Sequence, residues 1–161
     1  MKANFAHMSI FAFILAVLID QAHKLYMINV VGWKGGEGVV VTPFFDYVLV
    51  WNRGISYGLF SALPPLALTG IMMIAVLGLA VWWATSHNEW VRWGIALTLG
   101  GGAGNIIDRL VHGAVADFFS FHAYGFYWYI FNLADVAIAL GLFALIWDMV
   151  FHKEAEAQKK D

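Results

Sequence analysis

Long apolar segments are the feature that most constrains the fold of this chain. Four of them, at about residues 8–27, 66–84, 93–110 and 127–151, approach the roughly 20 apolar residues that a helix needs to cross a bilayer. Across the chain, 61% of residues are hydrophobic and 12% are charged, against about 45–50% and about 25% in an ordinary soluble domain. The sequence therefore predicts an all-α membrane protein, a bundle of four transmembrane helices forming one domain over residues 1–161.

The segment of residues 29–63 is the only long stretch without a spanning pattern. Its GVVVTPFF and YVLVW runs are β-branched and aromatic, and glycine, proline and asparagine residues bound them. This pattern is typical of short strands joined by turns. We expect a small β-sheet that lies outside the membrane.

Charge and cysteine content exclude several classes of function. Nine basic and eleven acidic residues give a net charge of -2, and the only basic cluster is a short tail, so nucleic acid is not an expected partner. The chain has no cysteine, which excludes disulfides, thiolate metal sites and a cysteine nucleophile.

Polar residues interrupt the apolar sequence between residues 100 and 141. Ionisable groups at membrane depth are costly, so an intramembrane carboxylate is by default a candidate functional residue. Three aspartates and two asparagines lie in this stretch: Asn105, Asp108, Asp117, Asn132 and Asp135.

Helical geometry predicts that the carboxylates meet at one level. With a rise of 1.5 Å per residue, Asp20 lies about 10 Å below the surface at which the first span ends, and Asp135 about 12 Å below the surface at which the fourth begins. Asp108 falls in the same third of the third span, and Asp117 follows just beyond it. We expect the four acids to converge on one side of the bundle.

Residues three or four apart on a helix share a face, and this spacing gives each acid a polar neighbour. Three clusters result: Asn105 with Asp108 and Arg109, Asn132 with Asp135, and Asp20 with Lys24. Charged groups at this depth need such partners.

Two carboxylates held close in a poorly solvated pocket cannot both ionise easily, so one keeps its proton near neutral pH. The ionised member can take a proton from water while the protonated member stabilises the oxyanion of a peptide carbonyl. This chemistry is aspartic peptide hydrolysis. The candidates are Asp117 and Asp135, because Asp20 and Asp108 have the basic neighbours Lys24 and Arg109 and are interpreted as ionised structural groups.

At these residues the sequence resembles the lipoprotein signal peptidases, the type II signal peptidases of bacteria. The resemblance covers residues from about 14 to 148. Five motifs carry it in order: DQAHK with Asp20, Gln21 and Lys24; WNRGISYGLF with Asn52, Gly54 and Phe60; GNIIDR at 104–109; VADF at 115–118; and FNLAD at 131–135.

The resemblance implies that Asp117 and Asp135 are catalytic and that the enzyme cleaves prolipoproteins directly before a diacylglyceryl-modified cysteine. It also implies that Asn52, in the extramembrane sheet, faces the lipidated substrate. We expect neither a metal nor a cofactor. The expected partners are lipidated signal peptides and membrane lipid, and the expected state is a monomer. The resemblance further implies that the catalytic pair and the substrate backbone are supported by four residues: Asn105, Asp108, Arg109 and Asn132. It also implies that Asp20 and Lys24 are structural.

Basic residues give a weak indication of topology. Five of the nine lie on the side of the two termini, and the other four are Lys24, Lys34, Arg53 and Arg109. If Lys24, Arg53 and Arg109 belong to a buried site, the positive-inside rule places both termini in the cytoplasm. The sheet and the active site then face the periplasm of a bacterial inner membrane.

Other interpretations of the same residues remain open at this stage. His112, Asp117 and His122 are possible metal ligands, although no metal-binding spacing accompanies them. Asp117, Ser120 and His122 are possible members of a triad, although residues this close in a strand or turn seldom point at one atom. We expect Asp148 to be a solvated structural residue at the opposite interface, about 20 Å below Asp135.

Two further functions compete with the enzyme hypothesis. A proton-coupled membrane transporter also uses intramembrane carboxylates, but it should place them at several depths along a path. A non-catalytic scaffold explains the glycine-rich third span, but it gives no reason for the acids to converge.

Overall fold

Four long helices form the body of the protein within the residues that this computed structural model describes, which are 2–54 and 63–157, with side chains over 7–54 and 63–151. Helix α1 continues into a π-helical turn at Tyr26–Val30. Helix α2 begins with a proline, whose missing N–H has no partner at a helix start. The helices are α1 (Lys2–Leu25), α2 (Pro65–Thr85), α3 (Glu89–His112) and α4 (Leu133–Ala157).

In the part of the chain that the structure describes, three segments are long and apolar enough to cross a membrane: His7–Val30, Pro65–Thr85 and Leu133–Phe151. Many of their apolar side chains are exposed, as at Leu66 (78%) and Ile74 (72%), which suits lipid rather than water. These segments confirm the prediction of a mostly helical membrane protein. Helix α3 is less apolar than the other three.

Helix α3 lies at the centre of the bundle and contacts α1, α2 and α4. Its glycines allow the close approach. A Cβ atom at Gly100 would lie 2.8 Å from the carbonyl oxygen of Phe13 in α1, and one at Gly101 would overlap the backbone of Ala134 in α4. The glycine cluster therefore lets two helices pack directly on the α3 backbone.

Counted over the described residues, the sheet has four antiparallel strands in the order β1-β2-β3-β4, namely β1 (Gly38–Thr42), β2 (Phe45–Asn52), β3 (Val115–Ala123) and β4 (Phe126–Tyr127). The prediction of strands within residues 29–63 is confirmed by β1 and β2, but half of the sheet comes from the segment after α3. Residues 55–62, which include Phe60 of the WNRGISYGLF motif, lie outside the described residues.

The predicted start of the fourth span at residue 127 is wrong. Residues 126 and 127 pair with β3 as strand β4, and the helix begins at Leu133. Asn132 Oδ1 accepts a hydrogen bond from Asp135 N (3.0 Å), and Asp135 Oδ2 accepts one from Asn132 N (3.2 Å). This reciprocal pair is a capping box formed by asparagine and aspartate, and it fixes the helix start.

A small core attaches the sheet to the end of α1. Met27, Leu49, Ala116 and Phe118 are buried together. Strand β2 has a bulge beside this core. The bulge is seen as a shift in the pairing register with β3 between Tyr47 and Val50. Bulges redirect side chains, and here Val50 pairs with Asp117. The sheet therefore holds Asp117 against the helix bundle.

Asp148 lies at the opposite end of the bundle, which we call the distal end, and the expectation that it is solvated is wrong. That side chain is only 8% exposed, so it is not solvated. Asn88 Nδ2 lies 2.9 Å from each of its carboxylate oxygens. Asn88 also caps α3 by accepting hydrogen bonds from the backbone N–H groups of Trp90 and Val91. Asp148 therefore joins α4 to the start of α3.

Candidate active site

Asp117 and Asp135 line one cavity of about 300 Å³ at the sheet end of the bundle. Asp117 comes from β3 and is 2% exposed, whereas Asp135 comes from the first turn of α4 and is partly exposed. Polar groups of Asn52, Asn105 and Arg109 complete one wall. The opposite wall is apolar, with Met72 from α2 and Ile138 and Leu142 from α4.

A chain of amide groups connects the two carboxylates. Asn132 Nδ2 donates to Asp117 Oδ1 (2.7 Å) and to Asn105 Oδ1 (3.0 Å). Asn105 Nδ2 then donates to Asp135 Oδ1 (2.9 Å). On its other side, Asp117 Oδ2 accepts from Asn52 Nδ2 (3.0 Å). The three asparagines predicted from the sequence as site residues thus fix the positions of both carboxylates.

The pKa of Asp117 is raised to about 7, chiefly because the carboxyl group is buried and also because the charge of Asp135 disfavours a second negative charge. The amide donors of Asn52 and Asn132 oppose this rise, since they stabilise the ionised form. Asp117 can therefore gain or lose its proton near neutral pH. The two carboxylates interact, so their titration belongs to the pair.

A buried charge cluster lies behind the asparagines. Lys24 Nζ is 2.8 Å from Asp20 Oδ2 and 2.8 Å from Asp108 Oδ2, and all three side chains are at most 3% exposed. Lys24 Nζ also donates to Asn105 Oδ1 (3.3 Å). The prediction that Arg109 is the basic partner of Asp108 is wrong, because the ionic partner of Asp108 is Lys24. Adjacent residues of a helix point in different directions.

The same cluster holds the backbone beside each carboxylate of the cavity. Asp108 Oδ2 accepts from the N–H of Ala116 (3.0 Å), which precedes Asp117. Asp20 Oδ1 accepts from the N–H of Ala134 (2.9 Å), which precedes Asp135. Lys24 therefore connects, through two buried aspartates, the segments that carry Asp117 and Asp135.

Arg109 faces the cavity from α3 and is 6% exposed. Its Nη2 donates to the carbonyl oxygen of Gly54, and the N–H of Gly54 donates to Asn52 Oδ1 (3.0 Å). Within the described residues, Arg109 Nε and Nη1 have no protein acceptor. Arg109 thus retains donors at a wall that also holds Asn52.

Three contributors to the site were not among the predicted site residues. Gln21 Nε2 donates to Asp20 Oδ2, Gly104 O and Asp108 Oδ1 at 3.0–3.2 Å, and its place in the DQAHK motif is the signal that pointed to it. Gly54 supplies a carbonyl, and Tyr129 lines the cavity. The sequence predicts Tyr129 at the start of the fourth span, whereas it lies before α4, which begins at Leu133.

The alternative constellations are not assembled. His112 packs against Trp51, with ring centroids 5.0 Å apart, and His122 Nε2 lies 3.1 Å from Asp46 Oδ2. Ser120 is three residues from Asp117 along β3, so the two side chains point to opposite faces. Among the side chains of residues 7–54 and 63–151, no group of three histidine or acidic residues is arranged to hold a metal.

Comparisons with known proteins agree on one family. Residues 12–151 match the sequence profile described as signal peptidase (SPase) II. A lipoprotein signal peptidase of Nitrobacter hamburgensis is 46% identical over 148 residues, covering 86% of this chain and 89% of the relative. One of Pelagibacter ubique is 32% identical over 157 residues, covering 96% and 95%.

A solved bacterial membrane enzyme, determined by the in meso method at 2.3 Å resolution, has a similar fold. It superposes with a TM-score of 0.79 at 26% sequence identity, covering 89% of this chain and 88% of that one. The resemblance seen in the five motifs is confirmed by these matches over most of the chain, and the chain belongs to the signal peptidase II family.

Proposed function

We propose that this chain is an aspartic endopeptidase that removes the signal peptide of diacylglyceryl-modified prolipoproteins, cutting directly before the lipidated cysteine. Membership of the signal peptidase II family makes the chain a peptidase of lipoprotein signal peptides. The single observation that carries the catalytic proposal is the pair of carboxylates, Asp117 and Asp135, on one cavity and connected through Asn132 and Asn105.

The proposed mechanism uses one proton shared by the pair. One ionised carboxylate takes a proton from water, and the protonated partner donates a hydrogen bond to the scissile carbonyl as negative charge develops there. A pKa of about 7 for Asp117 supports this sharing near neutral pH. Asn52, Asn105 and Asn132 keep both carboxylates oriented during the proton transfers.

Substrate binding uses the other walls of the cavity. Arg109 lines the cavity, and its Nε and Nη1 have no acceptor among the described residues. We assign these N–H groups to carbonyl oxygens of the substrate backbone. The buried charge cluster contributes indirectly. Asp108 and Asp20 accept hydrogen bonds from the backbone N–H groups of Ala116 and Ala134, and Lys24 forms ion pairs with both aspartates.

The proposed topology has α1 to α4 crossing a bacterial inner membrane, with both termini cytoplasmic and the sheet periplasmic. Lys24 and Arg109 are buried site residues (2% and 6% exposed) and so drop out of the loop charge count. Five basic residues then remain on the side of the termini, against Lys34 and Arg53 on the other. This asymmetry supports cytoplasmic termini.

The transporter and scaffold alternatives are less well supported. Among the described residues of the bundle, Asp20, Asp108, Asp117 and Asp135 lie together at the sheet end, and Asp148 at the distal end is engaged by Asn88. No intermediate acid joins the two ends within the described residues. A proton path would need such a group.

The test is cleavage of matched precursors by the purified protein in lipid nanodiscs. One precursor carries a diacylglyceryl-modified cysteine and the other an unmodified cysteine at the same position. We expect a cut before the modified cysteine only. Cleavage of both at equal rates, or transport in sealed vesicles without cleavage of either, would contradict the proposal.

A further inference from the structure

A second apolar depression opens on the far side of Asp135 from the candidate active site. It has a volume of about 500 Å³ and shares Tyr129, Asp135 and Ala139 with the active-site cavity. We name it the aromatic groove. Its remaining walls come from β3, from the segment before α4 and from α4: Phe121, Trp128, Phe131, Val136, Leu140 and Phe143.

The periodicity of α4 explains why two depressions meet at one aspartate. At about 100° per residue, Val136, Leu140 and Phe143 fall about 80–140° around the helix from Asp135. These three side chains form the α4 wall of the aromatic groove. Ala139 lies only about 40° from Asp135, and its small side chain forms the ridge that both depressions share.

On the other side of that ridge, Ile138 and Leu142 fall about 20–60° from Asp135 in the opposite direction. Together with Met72 of α2 they form the apolar wall of the active-site cavity. Two apolar surfaces therefore diverge from one point beside Asp135. One lies between α2 and α4, and the other lies between α4 and the aromatic residues of β3 and of the segment before α4.

We propose that the aromatic groove is the binding site for one fatty-acyl chain of the substrate's diacylglyceryl group, the other chain lying along Ile138 and Leu142. This inference rests on the proposed function. A glyceryl group placed at Asp135 would carry its two chains away from a single point, as the two depressions diverge. The groove adjoins the cavity at Tyr129, Asp135 and Ala139, which line both. A chain of bulk phospholipid is the competing occupant that the test must exclude.

The exposure of the groove walls suits a hydrocarbon chain. Leu140 is 55% exposed, Phe143 62% and Trp128 53%. Leu140 and Phe143 lie within a segment apolar enough to span a membrane, and Trp128 lies shortly before it. An acyl chain in the groove would therefore pass directly from the reacting centre into the bilayer without crossing water.

The test compares two substrates and two variants in nanodiscs of one phospholipid. The substrates are a precursor with a diacylglyceryl-modified cysteine and the same precursor with a monoacylglyceryl-modified cysteine. Leu140→Trp fills the groove, and Ile146→Trp is the matched control, because Ile146 is equally exposed on α4 (56%) and lies outside both depressions.

For Leu140→Trp we expect KM for the two-chain substrate to rise about tenfold, the scale of losing part of a hydrophobic pocket, with kcat unchanged. KM for the one-chain substrate should stay constant, and Ile146→Trp should change neither. Phe143→Ala, which removes the outer wall, should raise KM for the two-chain substrate in the same selective way and decides the question if Leu140→Trp does not fold.

Equal effects of both groove variants on the two substrates, or no effect, would overturn the inference and leave the groove to bulk lipid. Failure of the proposed function has a different signature, because the wild-type protein would then cleave neither substrate.

Discussion

The two ends of the α3–α4 pair use the same chemical contact for different purposes. At the distal end, the amide of Asn88 donates hydrogen bonds to both carboxylate oxygens of Asp148, at 2.9 Å each. At the sheet end, the amide of Asn105 donates only to Oδ1 of Asp135. Asp148 is buried as part of a cap, whereas Asp135 faces a cavity that Asp117 also lines.

An asparagine–aspartate contact therefore does not by itself indicate function. What distinguishes the sheet end is a second carboxylate, an open cavity and a charge cluster that holds the backbone on both sides. Asn105 and Asn132 connect two acids, whereas Asn88 connects one acid to a helix start. Variants at the two ends separate these roles.

Lys24→Met should destabilise the protein most. It leaves Asp20 and Asp108 as two buried carboxylates without their ionic partner, and breaking a buried ion pair in this way costs about 3–5 kcal/mol. Asn88→Ala at the distal end should cost less, about 2–3 kcal/mol, because it removes a helix cap and the amide donor to the Asp148 carboxylate. Reversible unfolding in mixed micelles measures both free energies of unfolding.

Equal losses for these two variants would contradict the distinction between the ends. Lys34→Met, in an exposed loop position, is the control for removal of a lysine charge and should leave the free energy of unfolding nearly unchanged.

Gly101→Ala should have the next largest effect on stability. The new methyl group would overlap the Ala134 backbone, and overpacking of this kind typically costs about 1–3 kcal/mol. It should also lower cleavage, because Ala134 precedes Asp135. Gly78→Ala is the matched control, since no atom lies within 4 Å of a Cβ atom built there. A Gly101→Ala protein as stable and active as the control would show that the close α3–α4 contact is not required.

Asn52→Ala should have the smallest effect, a shift in the pH dependence of cleavage. The amide of Asn52 lowers the pKa of Asp117 by stabilising the ionised form. Its loss should raise that pKa further above 7, so the pair keeps its shared proton to higher pH. The alkaline limb of kcat/KM should therefore move to higher pH, as measured by initial rates from pH 6 to pH 9 at about half-unit steps. A shift to lower pH would contradict the role given to this amide.

Sequence reasoning predicted the convergence of the acids because helical rise and period are regular. Asp20, Asp108 and Asp135 lie on helices, and their relative depths follow from residue counts. The same reasoning placed Asn105 and Asn132 beside acids, and the hydrogen bonds of both are present. Family motifs supplied Asn52 and Gly54, whose positions depend on strand pairing rather than on a helical period.

Three expectations failed for physical reasons. The aromatic run before residue 131 was interpreted as membrane helix, although the asparagine and aspartate of the FNLAD motif form the capping box that starts α4 at Leu133. Asp108 was paired with the adjacent Arg109 rather than with Lys24 on another helix, which no local spacing predicts. Asp148 was expected in solvent, because nothing in the sequence indicated that Asn88 would reach it from the start of α3.

The most direct test of the account is cleavage of a diacylglyceryl-modified precursor by Asp117→Asn, Asp135→Asn and Asp148→Asn in one nanodisc preparation. The first two variants should lose about 10²–10⁴-fold or more in kcat, since each removes a proton-transfer group, while their folded state persists. Asp148→Asn should cut at close to the wild-type rate. Wild-type turnover by either Asp117→Asn or Asp135→Asn would contradict the claim that these two carboxylates share the chemistry.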